Sequence, residues 1–409
     1  MSRARHAARA VPARPETAER AAMVPLPRRA DHPLAGGFEV RARVVVRRET
    51  APGPEALRQW DRLVRDTPGT DVTQLSGWAR VRSLVGYRPV FLLAYQSDTV
   101  VGGALVLTRR VARVLSIGYL PYGPVVSRDV AAARTEVTAA LVAAVVELSD
   151  ELTMTFVQPP EGSGEVSDAL AGAGFRASRA GIAPAGSYRL DLTPPLEVIR
   201  GRFSKRLKSW TNRWEAKGVR IRQGDERDLP LLLELMEHTG ARQGFTPPGL
   251  DYVTALYREL AAQGQVAVFV GEVHGVAVSA DLVTVAGGMV RGRLGGFNGR
   301  GEAGKLSVPA AVRWEIIRWA KEQGHRYLDF GGLPERMLAD MLDRGIAHSD
   351  EWPSSHCAKL SFSGAPFRYP ESMERIRPAP VRLGYDLASN NPMGQRAAAK
   401  AKKLLRGGR

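Results

Sequence analysis

The sequence predicts an α/β (α+β) protein of two tandem modules, each a mostly antiparallel sheet flanked by helices. Two observations carry this. One succession of elements (two helices, a β-meander, a long helix and a further strand) runs twice along the chain, about 170 residues apart. The chain also has 409 residues, of which 44% are hydrophobic and 24% charged, an ordinary globular composition with enough length for two domains.

Residues 1–38 lack periodicity and read as a disordered basic leader. The first domain is expected over 39–190. It opens with a strand at 40–47 and a helix at 54–65. A short helix follows at 77–84, with Ser76 in the N-cap position. Strands at 89–95 and 100–108 flank the turn residues Ser97 and Asp98. A third strand is expected at 113–117, a helix at 130–148 and a strand at 152–158. The second domain, 191–375, begins with a basic helix at 203–217 that Gly218 ends as a C-cap. Helices at 228–243 and 250–263, strands at 266–270, 276–285 and 289–297, a helix at 308–323 and a strand at 327–330 repeat the first order. Residues 358–364 read as a short strand and a Ser/Gly turn, and 376–409 as a helix and a basic tail.

The formal net charge of +16 points to a polyanionic partner, but its placement is uneven. Residues 1–48 supply +7 and residues 396–409 supply +6, so the body between them is nearly neutral. Within that body, nine Lys or Arg and one acid fall in residues 200–222. On the expected helix, Trp210 and Trp214 share one face and dock it on the core, leaving Lys205, Arg206, Lys208, Arg213 and Lys217 for phosphates. The single cysteine, Cys357, excludes an intramolecular disulfide, suits a reducing cytoplasm and reads as a structural thiol. Scattered histidines give no metal-ligand spacing, so no metal is expected. No segment is long and apolar enough for a membrane span, and a monomer is expected.

Three segments stand out chemically. The loop 118–126 carries Tyr119, Tyr122 and Gly123 between prolines and glycines, a rigid turn able to bring amides to a ligand. Asp329 stands between apolar neighbours just before Phe330, Gly331 and Gly332, so it either caps a turn or faces a polar cleft. Lys359 precedes Phe362 and Gly364.

The module order is similar to that of GNAT acyltransferases. Their glycine loop for the acyl-CoA pyrophosphate has no match at 127–131 or 293–298, which disfavours acyl-CoA. Thr73 to Arg82 with Trp78, the run Leu120-Pro121-Tyr122-Gly123-Pro124-Val125, Trp314-Glu315 with Arg318-Trp319-Ala320, Tyr327-Leu328-Asp329-Phe330-Gly331-Gly332, and Lys359 with Phe362 and Gly364 occur in the order of FemABX-type aminoacyltransferases. The chain resembles that family over roughly residues 70–365. Ser127 stands where relatives acting on cell-wall precursors often have an acid, and Ser363 where a glycine is usual.

The resemblance implies two GNAT-like domains, aminoacyl-tRNA as co-substrate, no other cofactor, and amide formation on an amine. The amine belongs to a peptidoglycan precursor or to an antibiotic-type natural product. It places Lys359 at the reaction centre and Arg82 on the phosphates of a nucleotide-linked acceptor. Trp78, Tyr119, Tyr122, Gly123, Phe330, Gly331 and Phe362 become substrate-binding candidates. The ester is already activated, so positioning and oxyanion stabilisation suffice. Asp129, Asp329 or the substrate itself would take the amine proton. An acyl-CoA-dependent N-acyltransferase and a non-catalytic RNA-binding protein are the alternatives.

Overall fold

The computed structural model describes residues 43–111 and 115–390. The leader at 1–38, the start of the strand expected at 40–47, part of that expected at 113–117, and the basic tail at 396–409 lie outside the described residues.

Long runs of β-branched and aromatic residues form the strands. In chain order these are β1 (Val44–Glu49), β2 (Arg88–Gln96), β3 (Thr99–Val111), β4 (Leu115–Leu120), β5 (Val125–Val126), β6 (Met154–Val157), β7 (Arg176–Ala177) and β8 (Gly186–Asp191). They continue as β9 (Val219–Gly224), β10 (Val266–Val273), β11 (Val276–Ala286), β12 (Met289–Phe297), β13 (Tyr327–Gly332), β14 (Ala365–Arg368) and β15 (Met373–Ile376). Two sheets result. The first runs β1-β2-β3-β4-β6-β15-β7 with β5 on β3, and the second runs β14-β8-β13-β12-β11-β10-β9. Each has one parallel contact, β4 with β6 and β12 with β13, and is otherwise antiparallel.

The duplicated order is therefore real in space, but the sheets do not cut the chain at residue 190. Strand β8 follows the first module and joins the second sheet beside β13, while β15 follows the second module and joins the first sheet beside β6. Each module completes its sheet with the other's chain. An alternating strand looks the same whichever sheet receives it, so pairing partners are invisible locally.

Helices Pro54–Asp66, Ser76–Ser83, Leu229–Gln243 and Leu250–Ala261 lie between the sheets and share one apolar cluster with β2, β3, β10 and β11. The second and fourth of these pack closely. A side chain at Gly77 would come 3.1 Å from the carbonyl of Glu259. Helices Arg134–Asp150 and Val308–Glu322 cover the outer faces.

Several expected boundaries move. Ser76 is the first helical residue and not the cap; its amide and hydroxyl bind the buried Asp61 carboxylate instead. The helix expected at 130–148 begins at Arg134, after a 3₁₀ stretch Arg128–Ala133. The basic helix breaks into Lys205–Thr211, capped by Ser204, and a single 3₁₀ turn Glu215–Lys217. Just past the break, the Trp214 indole donates 2.8 Å to the Leu306 carbonyl. Gly218 ends the segment in the left-handed conformation, φ +72°, as expected of a C-cap. The stretch around Lys359 is the helix Ser354–Leu360, not a strand, and Pro353 supplies its N-cap.

Candidate active site

Strands β12 and β13 pair over only three residues each, Met289 to Arg291 against Tyr327 to Asp329. Beyond Asp329 the ladder ends, and the residues past the split form the site. Gly331 takes φ +87°, a conformation open to glycine at little cost. Its amide donates 2.7 Å to Asp329 Oδ1. The carbonyls of Gly331 and Gly332 accept from Lys359 Nζ at 3.2 and 3.0 Å. Burial, with Arg313 nearby, pushes the Lys359 pKa down to about 8 against the opposing pull of Asp329. Phe362 and Phe330 stack with centroids 5.0 Å apart, and Phe203 meets Phe362 and Trp314 edge-on. Lys359, Asp329, Phe330, Gly331 and Phe362, predicted from scattered motifs, thus come together.

Asp329 does not face an open cleft. It is buried, and besides the Gly331 amide it accepts from the Tyr369 hydroxyl at 2.7 Å and Arg189 Nε at 3.3 Å. Those partners continue into a buried network between the sheets. Arg189 and Arg291 both hold Glu161, and Arg291 and Arg293 both hold Asp71. Burial would raise the Asp71 pKa, but Arg293 and Arg291 hold it below the usual carboxylate range. Tyr122 belongs here too, its ring 5.0 Å from the Arg291 guanidinium and edge-on to Tyr369. The sequence reading missed Arg189, Arg291, Glu161, Asp71 and Tyr369, which lie up to 222 residues from their partners.

The other expected site residues sit apart. Asp129 is exposed and bonded within its own turn to Ser127, with no contact to Lys359. Arg82 is buried with its guanidinium 4.5 Å from the Tyr87 ring centroid and 3.5 Å from the Tyr252 hydroxyl, so it faces aromatics and not an open surface. Trp78 lies beneath Arg293. Tyr119 is in β4. The Gly123 amide donates to the Gln158 carbonyl, and Gln74 holds the Pro121 carbonyl from inside; the Gly123 amide is therefore engaged within the fold. Lys205, Arg206, Arg213 and Lys217 are exposed, while Lys208 is half-buried and donates to the Gly201 carbonyl. Trp214 is buried and Trp210 packs beside it, as docking residues.

A further carboxylate carries no sequence signal. Asp281, in the middle of β11, lies over Gly295, where any side chain would come 2.3 Å from its oxygen. Among the described residues it has no hydrogen-bond partner. Burial raises its pKa, opposed by Arg313, the same arginine that depresses Lys359.

The structure also changes the argument about the donor. Residues 293–297 are the end of strand β12, so the connection entering the helix Val308–Glu322 is 298–307, with glycines at 299 and 301 before a short helix Glu302–Leu306 that contains Gly304. The absence of a glycine loop at 293–298 therefore does not separate acyl-CoA from other donors. Among the described residues no group of side chains could hold a metal, and no helix is long and apolar enough to cross a membrane. A cavity of about 450 Å³ lies elsewhere, lined by Arg128, Arg134, Glu161, Glu165 and Phe367 among others. It contains none of the expected site residues and touches the network through Glu161 and through Phe367, whose ring centroid lies 3.5 Å from the Arg189 guanidinium.

A family model described as an acetyltransferase (GNAT) domain matches residues 201–340. The chain is 23% identical over 305 residues to a UDP-N-acetylmuramoylpentapeptide-lysine N(6)-alanyltransferase of Weissella viridescens, covering 71% of this chain and 88% of that protein. In fold it is similar to the crystal structure of FemX, with a TM-score of 0.69 and 16% identity over 84% of this chain and 100% of that one. It is also similar to the C-terminal domain of a putative lysylphosphatidylglycerol synthetase from Agrobacterium fabrum, with a TM-score of 0.51 and 15% identity over 86% of this chain and 96% of that domain.

Proposed function

Taking the chain as a FemABX-type acyltransferase of the GNAT-like superfamily, we propose that it moves an amino acid from aminoacyl-tRNA to an amine of a peptidoglycan precursor, forming an amide. The observation that carries the reading is the Lys359 ammonium. Of its three N–H donors, two are fixed on the Gly331 and Gly332 carbonyls. The third is left for an oxyanion at the split between β12 and β13.

In the reaction the neutral amine attacks the ester carbonyl, and the C–N bond forms as the carbonyl oxygen takes the negative charge. Lys359 stabilises that oxygen. Asp281, unpartnered and half-buried on the face shared with Arg313, takes the proton from the amine nitrogen. The C–O bond to the tRNA then breaks, and the released 3′ oxygen takes up the proton from Asp281, which returns the carboxylate. Asp329 serves as a positioning residue, because its oxygens already hold the Gly331 turn, Tyr369 and Arg189. The exposed cations at 205–217 receive tRNA phosphates, an electrostatic contact that weakens with salt. The protein acts in the cytoplasm, where charged tRNA is available, and needs no metal or further cofactor.

Labelled total aminoacyl-tRNA and labelled acetyl-CoA, each given with a muramoyl-pentapeptide amine, test the donor. Label entering the amine from tRNA alone is the expected result. Label entering from acetyl-CoA alone overturns the reading in favour of an acyl-CoA-dependent enzyme.

A further inference from the structure

Helix Pro54–Asp66 carries Arg58, Arg62 and Arg65 at spacings of four and three residues, which puts all three on one face. Together with Asp61 and with Gln263, from the turn after helix Leu250–Ala261, they line a cavity of about 290 Å³. One wall belongs to each module. None of these residues takes part in the site around Lys359 or in the buried network.

The side-chain acceptors around this cavity are engaged, and most of its donors are not. The buried Asp61 accepts from the Ser76 amide on one oxygen and from the Ser76 hydroxyl on the other. The Gln263 oxygen accepts from Arg65 at 3.0 Å, which occupies a single guanidinium nitrogen. Among the described residues Arg62 makes no hydrogen bond or ion pair, although the exposed Asp66 lies one turn on. Arg58 pairs with Glu55, but both side chains are more than 60% exposed, so that bond holds the arginine weakly. Three guanidiniums thus meet one carboxylate, and like charges one turn apart work against the helix that carries them.

We propose that this cavity binds the phosphoryl group of a small phosphorylated molecule. The planar guanidinium fork matches the terminal oxygens of a phosphate, and Arg62 and Arg65 bring unfilled forks to the same space. The exposed Glu55 and Asp66 stand at the two ends of the arginine row. A polyanion continuing past the cavity would meet an acid on either side, which favours a free phosphate ester over a nucleic acid backbone. The inference stands apart from the reaction proposed above and is read without it.

Calorimetric titration of the full chain with sodium pyrophosphate tests it. Saturable binding is expected, with sodium acetate at matched ionic strength giving none. Arg62→Ala with Arg65→Ala should raise the pyrophosphate Kd roughly tenfold or more with an unchanged circular dichroism spectrum. Arg62→Glu alone, which removes no bond within the fold, should act in the same direction if the double variant folds poorly. Four results overturn the proposal: no saturable binding of pyrophosphate, equal binding of acetate, pyrophosphate binding unaltered by these substitutions, or a loss of unacylated-tRNA affinity in the variants larger than their loss of pyrophosphate affinity.

Discussion

A lysine whose pKa sits near 8 is still mostly an ammonium at neutral pH, yet it loses its charge within reach of an ordinary assay. Since the oxyanion requires the charged form, turnover should fall as pH rises through about 8. Lys359→Arg, if active, should carry that alkaline limb beyond the assay range, because a guanidinium keeps its proton. Lys359→Ala should lower kcat by about 10²–10³ with tRNA affinity nearly unchanged, and unaltered turnover would remove Lys359 from the mechanism. Asp281→Asn should cost about 10²–10⁴ in kcat and abolish the acidic limb of the pH profile; an unchanged acidic limb would return the proton to the substrate. Lys359 and Asp329 were legible in the sequence because short motifs surround them. Asp281 was not, since one acid in an alternating strand ordinarily means a solvent face. Its significance comes from Gly295 across the ladder and Arg313 on a helix, neither of which is near it in sequence.

At the scale of elements, the sequence located the helices and strands that recur in both modules, because their apolar periods are long and regular, but not the short strands β5, β7, β8, β9, β14 and β15 or the helices Gly164–Gly172, Leu196–Arg202 and Glu335–Leu342. It failed where tertiary contacts override local preference. The basic segment is periodic enough for one helix, but the helix ends at Thr211 and Trp214, just beyond it, donates to the distant Leu306 carbonyl. Around Lys359, apolar alternation suggested a strand, while Pro353 favours a helix start and the structure follows the proline. The break leaves the cations of 205–217 on two short pieces of one surface. Replacing Lys205, Arg206 and Arg213 with Ala should reduce the slope of log K against log[salt] for tRNA binding by about 2. An unchanged slope would leave the segment as a solvated surface.

The whole molecule is tied together twice, by the reciprocal exchange of β8 and β15 and by the buried network between the sheets. Sequence alone could show the repeat but not the exchange. In that network Asp71, Glu161 and Asp329 face Arg189, Arg291 and Arg293. Arg291 contacts all three acids, its nearest approach to Asp329 being 3.7 Å. Arg291→Met would strand buried carboxylates and should lower stability by about 3–5 kcal/mol in denaturant titration. A loss under 1 kcal/mol would mean that water compensates the acids. The same network fixes Asp329, and through it the Gly331 turn on which Lys359 rests, so the junction between the modules and the proposed reaction centre are held by one set of bonds.

The most direct measurement is the mass spectrum of the acceptor. A muramoyl-pentapeptide amine incubated with the protein and a single purified aminoacyl-tRNA, without ATP, metal or CoA, should gain the mass of one aminoacyl residue, with the product nearly absent for Lys359→Ala. An acceptor of unchanged mass with every aminoacyl-tRNA supplied, in preparations that bind tRNA, would contradict the account.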